Sequence, residues 1–234
     1  MIHGMLLVRN ESDRWLHEYL EQQNKIVDRL VVFDDASTDE TRNVCRKAGA
    51  NVYSFFGKSL WETDELKLRK ELWDLTIGKA NDGDWILCLD ADELFVSGHM
   101  EYIKYLCKVL PSGVNGIGFR LHDMWNDTHY RDDEHWQAHR YLWPMMVRYR
   151  KDFNYQWLEK PLHCGRFPAN ASNACYPTMI PIKHMGWSRE ADREYKFERF
   201  MRIDPCGENG ILAQYQSIMD ENPTLKNFNS YIYG

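Results

Sequence analysis

The first half of the chain alternates short apolar runs with amphipathic stretches. Met5-Leu6-Leu7-Val8, Leu30-Val31-Val32-Phe33, residues 51–56 and Trp85-Ile86-Leu87-Cys88-Leu89 each have the length of a strand. Between them, residues 13–23 put Trp15, Leu16, Tyr19 and Leu20 on one helical stripe. Residues 38–48 read as a helix closed by Gly49, and residues 61–79 as a long charged helix with Leu66, Leu72, Leu75 and Ile77 as its apolar positions. Strand, helix, strand, helix, strand, helix, strand predicts an α/β fold: a Rossmann-like, mostly parallel sheet with helices on both faces. Further on, the pattern predicts a helix over 99–109 broken at Pro111-Ser112-Gly113, strands over 116–122 and 145–149, and an extended 153–158. Helices over 188–203 and 209–220 are expected to pack back on the domain, with Ser188 capping the first. An extended tail is expected over residues 222–234.

Two of the buried strands stop at carboxylates. The run 85–89 ends in Asp90-Ala91-Asp92-Glu93, and the run 30–33 ends in Asp34-Asp35 followed by Ala36-Ser37-Thr38-Asp39-Glu40. Ser37 and Glu40 have capping-box spacing, which predicts a helix start there. In an open α/β sheet, ligands sit at the carboxyl ends of parallel strands, so these acids are expected on one rim. Asp90 and Asp92 are two apart and would share a face of an extended backbone. Two oxygen ligands with open positions suit Mg²⁺ or Mn²⁺ bridged to a diphosphate.

Val8-Arg9-Asn10-Glu11 after the first strand, VVFDDASTDET over 31–41 and LDADE over 89–93 together resemble the family 2 glycosyltransferases of the GT-A fold. The resemblance is specific over residues 5–95 and looser over 115–204. It implies a catalytic domain over 1–187, with 1–95 as its nucleotide-sugar half and 96–187 as its acceptor half, and a short helical extension over 188–234. It implies that Arg9, Asn10 and Glu11 approach the nucleotide base, that Asp34 or Asp35 bonds the uracil or ribose, and that Arg69 or Lys70 lies near the diphosphate. Asp90 and Asp92 would hold the metal and diphosphate, and His184, followed by Lys196 and Arg199, would complete the metal's ligands. The family places its general base in an acidic pair after the strand corresponding to 145–149. This sequence has no such pair there; Glu159, before Pro161-Leu162-His163, is the first candidate and Asp133 the second.

Composition narrows the field. The 234 residues are 44% apolar and 27% charged, ordinary for a globular chain, and the net charge of −6 disfavours a nucleic-acid partner. Six cysteines form no C-x-x-C pair and read as reduced, mostly core thiols. No signal peptide precedes the first strand and no apolar run approaches about 18 residues, so a cytoplasmic protein without a transmembrane segment is expected, with peripheral membrane contact through a partner left open. There is no G-x-G-x-x-G after the first strand and no P-loop motif. His135 and His139 are four apart but lack third and fourth ligands at zinc spacing. The stretch 123–143, dense in Trp, His and carboxylates, reads as the acceptor side of a cleft.

The expected activity is inverting, metal-dependent transfer from a nucleotide-sugar, with a UDP-sugar as the expected donor, to a hydroxyl of a glycan, lipid-linked or protein acceptor. Two alternatives are a nucleotidyltransferase, which would carry a glycine-rich basic loop where Arg9-Asn10-Glu11-Ser12 stands, and a non-catalytic sugar-binding module using the Trp-rich stretch.

Overall fold

The computed structural model describes residues 1–229. The chain order is β1 (Ile2–Val8), α1 (Leu16–Ile26), β2 (Arg29–Asp35), α2 (Thr41–Lys47), β3 (Asn51–Phe55), α3 (Glu65–Ile77), β4 (Trp85–Cys88), β5 (Glu93–Phe95), α4 (Met100–Val109), β6 (Gly116–Asp123), β7 (His129–Arg131), β8 (Trp143–Arg148), β9 (Cys175–His184), α5 (Glu190–Ile203), α6 (Leu212–Ser217) and β10 (Leu225–Asn227). Eight strands form one sheet in the order β3-β2-β1-β4-β8-β6-β9-β5, and β10 pairs with β7 in a separate ribbon. Strands β1 to β4 are parallel; β8 runs against β4 and β6, and β5 runs against β9. The expected mostly parallel α/β sheet is the one observed.

Alternation along the strands builds a core on each face. Leu6, Val8, Leu30, Val32 and Leu87 pack with Leu16, Tyr19 and Leu20 of α1, Cys45 of α2, and Ile103 and Leu106 of α4. Met5, Leu7, Val31, Phe33, Ile86 and Cys88 pack with Leu68, Leu72 and Trp73 of α3. Successive side chains of a strand point to opposite faces, so a strand covered on both sides must be apolar throughout. That is why β1 is buried along its whole length.

Several local expectations are corrected. Helix α2 begins at Thr41, not 38, because Ser37 does not cap it: its hydroxyl accepts the Asn10 N–H (3.0 Å), and the Asp39 carboxylate takes the Thr41 N–H (3.0 Å). Ser188 donates its hydroxyl to the Met185 carbonyl (2.6 Å) instead of capping α5. Residues 153–158 form no strand, and β5, unforeseen, closes the far edge of the sheet. Of the expected extended tail, residues 225–227 are β10 and residues 230–234 lie outside the described residues. No helix among the described residues is long and apolar enough to cross a membrane.

Leu72 is fully buried between α3 and the sheet. Leu72→Ala should cost about 2–5 kcal/mol in urea unfolding, whereas truncating the exposed Tyr105 should change stability by under about 0.5 kcal/mol. Equal effects would mean that α3 does not carry that core.

Candidate active site

The parallel register puts Val8 beside Asp34 and Met5 beside Cys88, so the chain leaves β1, β2 and β4 on one edge. The first two exits are stitched together. Arg9 donates to the Asp35 carbonyl (2.9 Å), Asn10 Oδ1 accepts the Thr38 N–H (2.8 Å), the Glu11 N–H reaches Thr41 Oγ1 (2.8 Å), and Ser12 binds Asp39 through N–H and hydroxyl (3.1 and 2.8 Å). Asn10 and Ala36 take left-handed backbone angles (φ 52° and 55°) where the chain turns off the sheet.

A cleft of about 1030 Å³ opens over this edge. Arg9, Asn10, Glu11 and Arg14 line it after β1, residues 58–63 after β3, Asp90 and Asp92 after β4, and His184 after β9. Its far wall is α5, through Tyr195, Lys196, Arg199, Phe200 and Arg202. Glu62 holds that helix in place by receiving both ends of Arg202 (2.8 Å each) and Arg199 (3.5 Å).

Asp92 is the electrostatic focus. One of its oxygens lies 3.4 Å from Lys196 Nζ and 3.6 Å from His184 Nε2. Burial opposes its charge, but Lys196 and His184 prevail and hold the carboxyl well below the ordinary carboxylate range. His184 is fixed from behind: its Nδ1 meets Asp123 Oδ1 at 2.8 Å. Burial alone would discharge the imidazole, yet Asp92 and Asp123 raise it to about 10. Glu11 is displaced the other way. Burial, then the Asp92 charge, push it up to about 8, and its Oε2 has no partner. Gly186 is required here, because a Cβ at that position would collide with Asp92 Oδ2 and Lys196 Nζ.

Asp90 does something different. Residues 89–92 are a turn, so Asp90 and Asp92 do not share the face of a strand. Asp90 Oδ1 binds Arg69 (3.2 Å) and Oδ2 faces Arg166 (3.4 Å), and Arg166 also forks onto Glu93 (2.7 and 2.6 Å). Both Asp90 oxygens are therefore engaged by guanidinium groups, while the residue lines the cleft with Asp92.

The remaining predicted residues divide clearly. Asp34 and Asp35 stand at the expected edge, but both are fully buried and neither lines the cleft. Asp35 accepts from Ser59 Oγ (2.5 Å), Leu60 N–H (3.1 Å) and Trp61 N–H (3.0 Å), which folds residues 59–61 into the cleft wall; Asp34 accepts the Ser37 N–H (3.2 Å). Arg69 is also interior, tied to Glu65 (3.0 Å) and Asp90, not to the cleft. Glu159 is exposed and pairs with Lys70 (2.8 Å) outside the cleft, and Asp133 is bound to Arg131 (2.5 Å); neither candidate base is in the cleft. The Trp-rich stretch is corrected too: Trp125 and Trp136 are buried around the Arg131 guanidinium and against Ile218, and form core instead of a sugar platform. His139 faces Asp132 (3.3 Å), His135 faces Glu134 (3.4 Å), and no cluster of three or more metal-binding side chains exists among the described residues. Sequence reading missed Arg166, Asp123, Gly186 and Trp187. Asp123 was findable, since it too is a carboxylate closing a strand.

In its complex with UDP, the 1–349 portion of S. aureus TarS superposes with a TM-score of 0.52 at 15% identity, over 94% of this chain and 70% of that one. Its complex with UDP-GlcNAc gives 0.51 at 15% identity over the same shares. The fold is that of the GT-A glycosyltransferases. The glucosyl-3-phosphoglycerate synthase of Mycobacterium tuberculosis with Mn²⁺ and UDP-glucose is 19% identical over 52% of this chain and 43% of that chain, at a TM-score of 0.37 too low to carry weight. No protein-family model matches the sequence, and no curated protein matches it.

His184 is charged in the folded protein up to about pH 10, against an ordinary value of 6.5. A raised value means that the stability this charge contributes is whole below about pH 6.5 and is lost as the pH rises through about 10. In chelator-treated buffer, the melting temperature should fall across that window, and His184→Gln should flatten the fall. An unchanged slope in the variant would show that the histidine charge is uncoupled from folding.

Proposed function

We propose that this protein is a glycosyltransferase that takes a nucleotide-sugar donor, with UDP as the nucleotide, and passes the sugar to a hydroxyl acceptor. The observation that carries the reading is the cleft at the carboxyl ends of β1 and β4. There Asp92 and His184 meet a wall of cations, Arg9, Lys58, Lys196, Arg199 and Arg202, large enough for a nucleoside diphosphate and a sugar. The TarS structures that share its fold hold UDP and UDP-GlcNAc, which supports the choice of donor. The strand-end motifs support placing it with the family 2 enzymes and an inverting displacement.

The donor set fits a divalent ion. Asp92 supplies a carboxylate oxygen, and His184 Nε2 lies 3.6 Å from it with its other nitrogen held by Asp123, the usual backing of a metal-bound imidazole. Two protein ligands leave the remaining positions to diphosphate oxygens and water, as Mg²⁺ and Mn²⁺ prefer. When bound, such an ion neutralises the charge that develops on the departing diphosphate. The chain's own residues do the rest. Lys196, paired with the Asp92 oxygen, lines the cleft where a phosphate would sit, and Arg199 and Arg9 add positive charge to the same lining. Arg166 and Arg69 hold the end of β4 rigid beneath it, so the carboxylate does not reorganise as charge shifts.

Two measurements bear on this. UDP with Mn²⁺ should raise the melting temperature and UDP alone should raise it less. Asp92→Asn should abolish the metal-dependent part and lower UDP release from a UDP-sugar at least ~100-fold, about 2.8 kcal/mol of barrier. A variant with unchanged shift and turnover would end the proposal. With His184 raised to about 10 and Glu11 to about 8 in the absence of metal, binding of Mn²⁺ and UDP at pH 7.5 should release protons, and His184→Gln should release about one fewer. Calorimetry in buffers of different ionisation enthalpy reads this directly, and equal release by the two proteins would remove Nε2 from the ligand set.

A further inference from the structure

With Glu159 and Asp133 outside the cleft, the acceptor's proton needs another destination. His163 lines the cleft, its ring centroid 6.4 Å from that of Phe200 of α5, and is exposed to solvent. Its neighbours Leu162 and Cys164 are buried, so the two flanking side chains anchor the turn while the imidazole reaches solvent. Its backbone is left-handed (φ 53°), an arrangement that a non-glycine residue holds only where its surroundings enforce it and that recurs at functional sites.

What enforces it is visible. The His163 N–H donates to Glu65 Oε2 (3.2 Å), the Glu65 N–H donates to the Pro161 carbonyl (2.7 Å), and Glu65 Oε1 binds Arg69, which binds Asp90. Three residues further on, Arg166 grips Asp90 and Glu93. The segment bearing His163 is therefore fastened at two points to the end of β4, where the donor's diphosphate is proposed to sit.

The ring itself is backed by a relay. His163 Nε2 lies 3.4 Å from the Tyr215 hydroxyl, which lies 3.1 Å from Asp204 Oδ2. Asp204 is buried and also accepts the N–H groups of Glu208 (2.8 Å), Asn209 (3.1 Å) and Gly210 (3.0 Å), which favour its ionised form. A carboxylate only accepts, so the Tyr215 hydroxyl donates to it, and the tyrosine oxygen can only accept from the histidine. That assigns the His163 proton to Nε2 and leaves the Nδ1 lone pair unused. Tyr215 is held flat against Phe200, with ring centroids 4.5 Å apart, and Gly210 leaves no Cβ to block its hydroxyl.

We infer that His163 is the general base of the transfer, with Tyr215 and Asp204 as its positioning residues. This rests on the glycosyltransferase reading above. As the acceptor oxygen forms its bond to the anomeric carbon, its proton passes to His163 Nδ1. The bond from that carbon to the diphosphate oxygen breaks, and its electron pair leaves with the nucleotide. The imidazolium so formed is stabilised through Tyr215 by the Asp204 charge, the same logic that couples a base to an orienting carboxylate in hydrolytic triads. Acceptors would then reach the donor past Phe200 and Ile203.

The decisive variant is His163→Gly, because glycine adopts the left-handed angle freely and removal of the ring leaves room for added imidazole. Water serves as the acceptor, with UDP release from UDP-GlcNAc or UDP-glucose as the readout and UDP affinity measured by calorimetry beside it. The expected result is UDP affinity within about twofold of the parent, turnover reduced at least ~100-fold with little change in donor KM, and partial restoration by millimolar imidazole. Tyr215→Phe, which keeps the stack on Phe200, should lose about 5–20-fold in turnover. Turnover in His163→Gly within twofold of the parent, or a loss that imidazole does not relieve, overturns the inference while leaving the transferase reading intact. A parent protein that binds no UDP and releases none takes both down.

Discussion

Asp90, Asp92 and Glu93 fall within four residues at the buried end of one strand, and the fold is arranged around supplying them with cations. Like charges this close, out of water, raise one another's pKa and cannot stay ionised without partners. The partners come from four separate parts of the chain. Arg69 is presented by α3, Arg166 by the segment between β8 and β9, His184 by the end of β9, and Lys196 by α5. His184 and Lys196 belong to the cleft lining, and Arg69 and Arg166 hold the acids from outside it. The acids at 90–93 thus act as a hub, and removing them would loosen the helix, the segment and the strand end together. Burial still raises Glu93 despite its bidentate arginine, while Asp92 is pulled below its ordinary range, so neighbouring carboxyls of one turn are shifted in opposite directions.

A second constraint lies at the exits of β1 and β2. The polar residues there mostly bind each other: Asn10 with Ser37 and Thr38, Glu11 with Thr41, Ser12 with Asp39. Backbone groups leaving a sheet lose their ladder partners and must find others, and these short side chains provide them. The stitching frees one group for the cleft. The Glu11 carboxyl is left facing Asp92 without a hydrogen-bond partner on Oε2, and its raised pKa records the strain of that position. The rim is therefore a backbone shelf whose short polar side chains are hydrogen-bonded to one another.

Helix α5 changes how the chain divides. Read as an extension of the domain, it turns out to form the cleft's far wall, and it carries Lys196 to Asp92 over a separation of 104 residues. Its Phe197 and Phe200 pack, partly buried, against the cluster of Trp125, Trp136 and Ile218, while the rest of the helix is largely polar, with Asp192 buried. Ion pairs and stacking hold the polar side. Arg199 and Arg202 bind Glu62, and Lys196 lies over the Trp187 ring at 4.2 Å. Charge pairing across the cleft adds to the apolar packing of Phe197 and Phe200.

The sheet was legible because fully covered strands must be apolar on both faces and end abruptly, and no other element shows that pattern with helical stretches between. The rim was legible for the same reason: where the apolar run stops, the chain emerges, and polar residues at 34–35 and 90–93 mark the place. What each carboxylate does there was not legible. Asp34, Asp35, Asp90 and Asp92 look alike in sequence, yet two are buried beneath the cleft, one is locked between arginines and one faces His184 and Lys196. Those roles depend on partners as far as 104 residues away and on which face of a turn a side chain leaves, and local pattern carries neither. His163 is the sharpest case. Nothing in Pro161-Leu162-His163-Cys164 marks it, and only the packing of α6 against α5 brings Tyr215 and Asp204 behind the ring. Periodicity and chain exit are local properties and the sequence by itself determines them; the pairing of charges across the cleft is a product of three-dimensional proximity, and only the tertiary structure decides it.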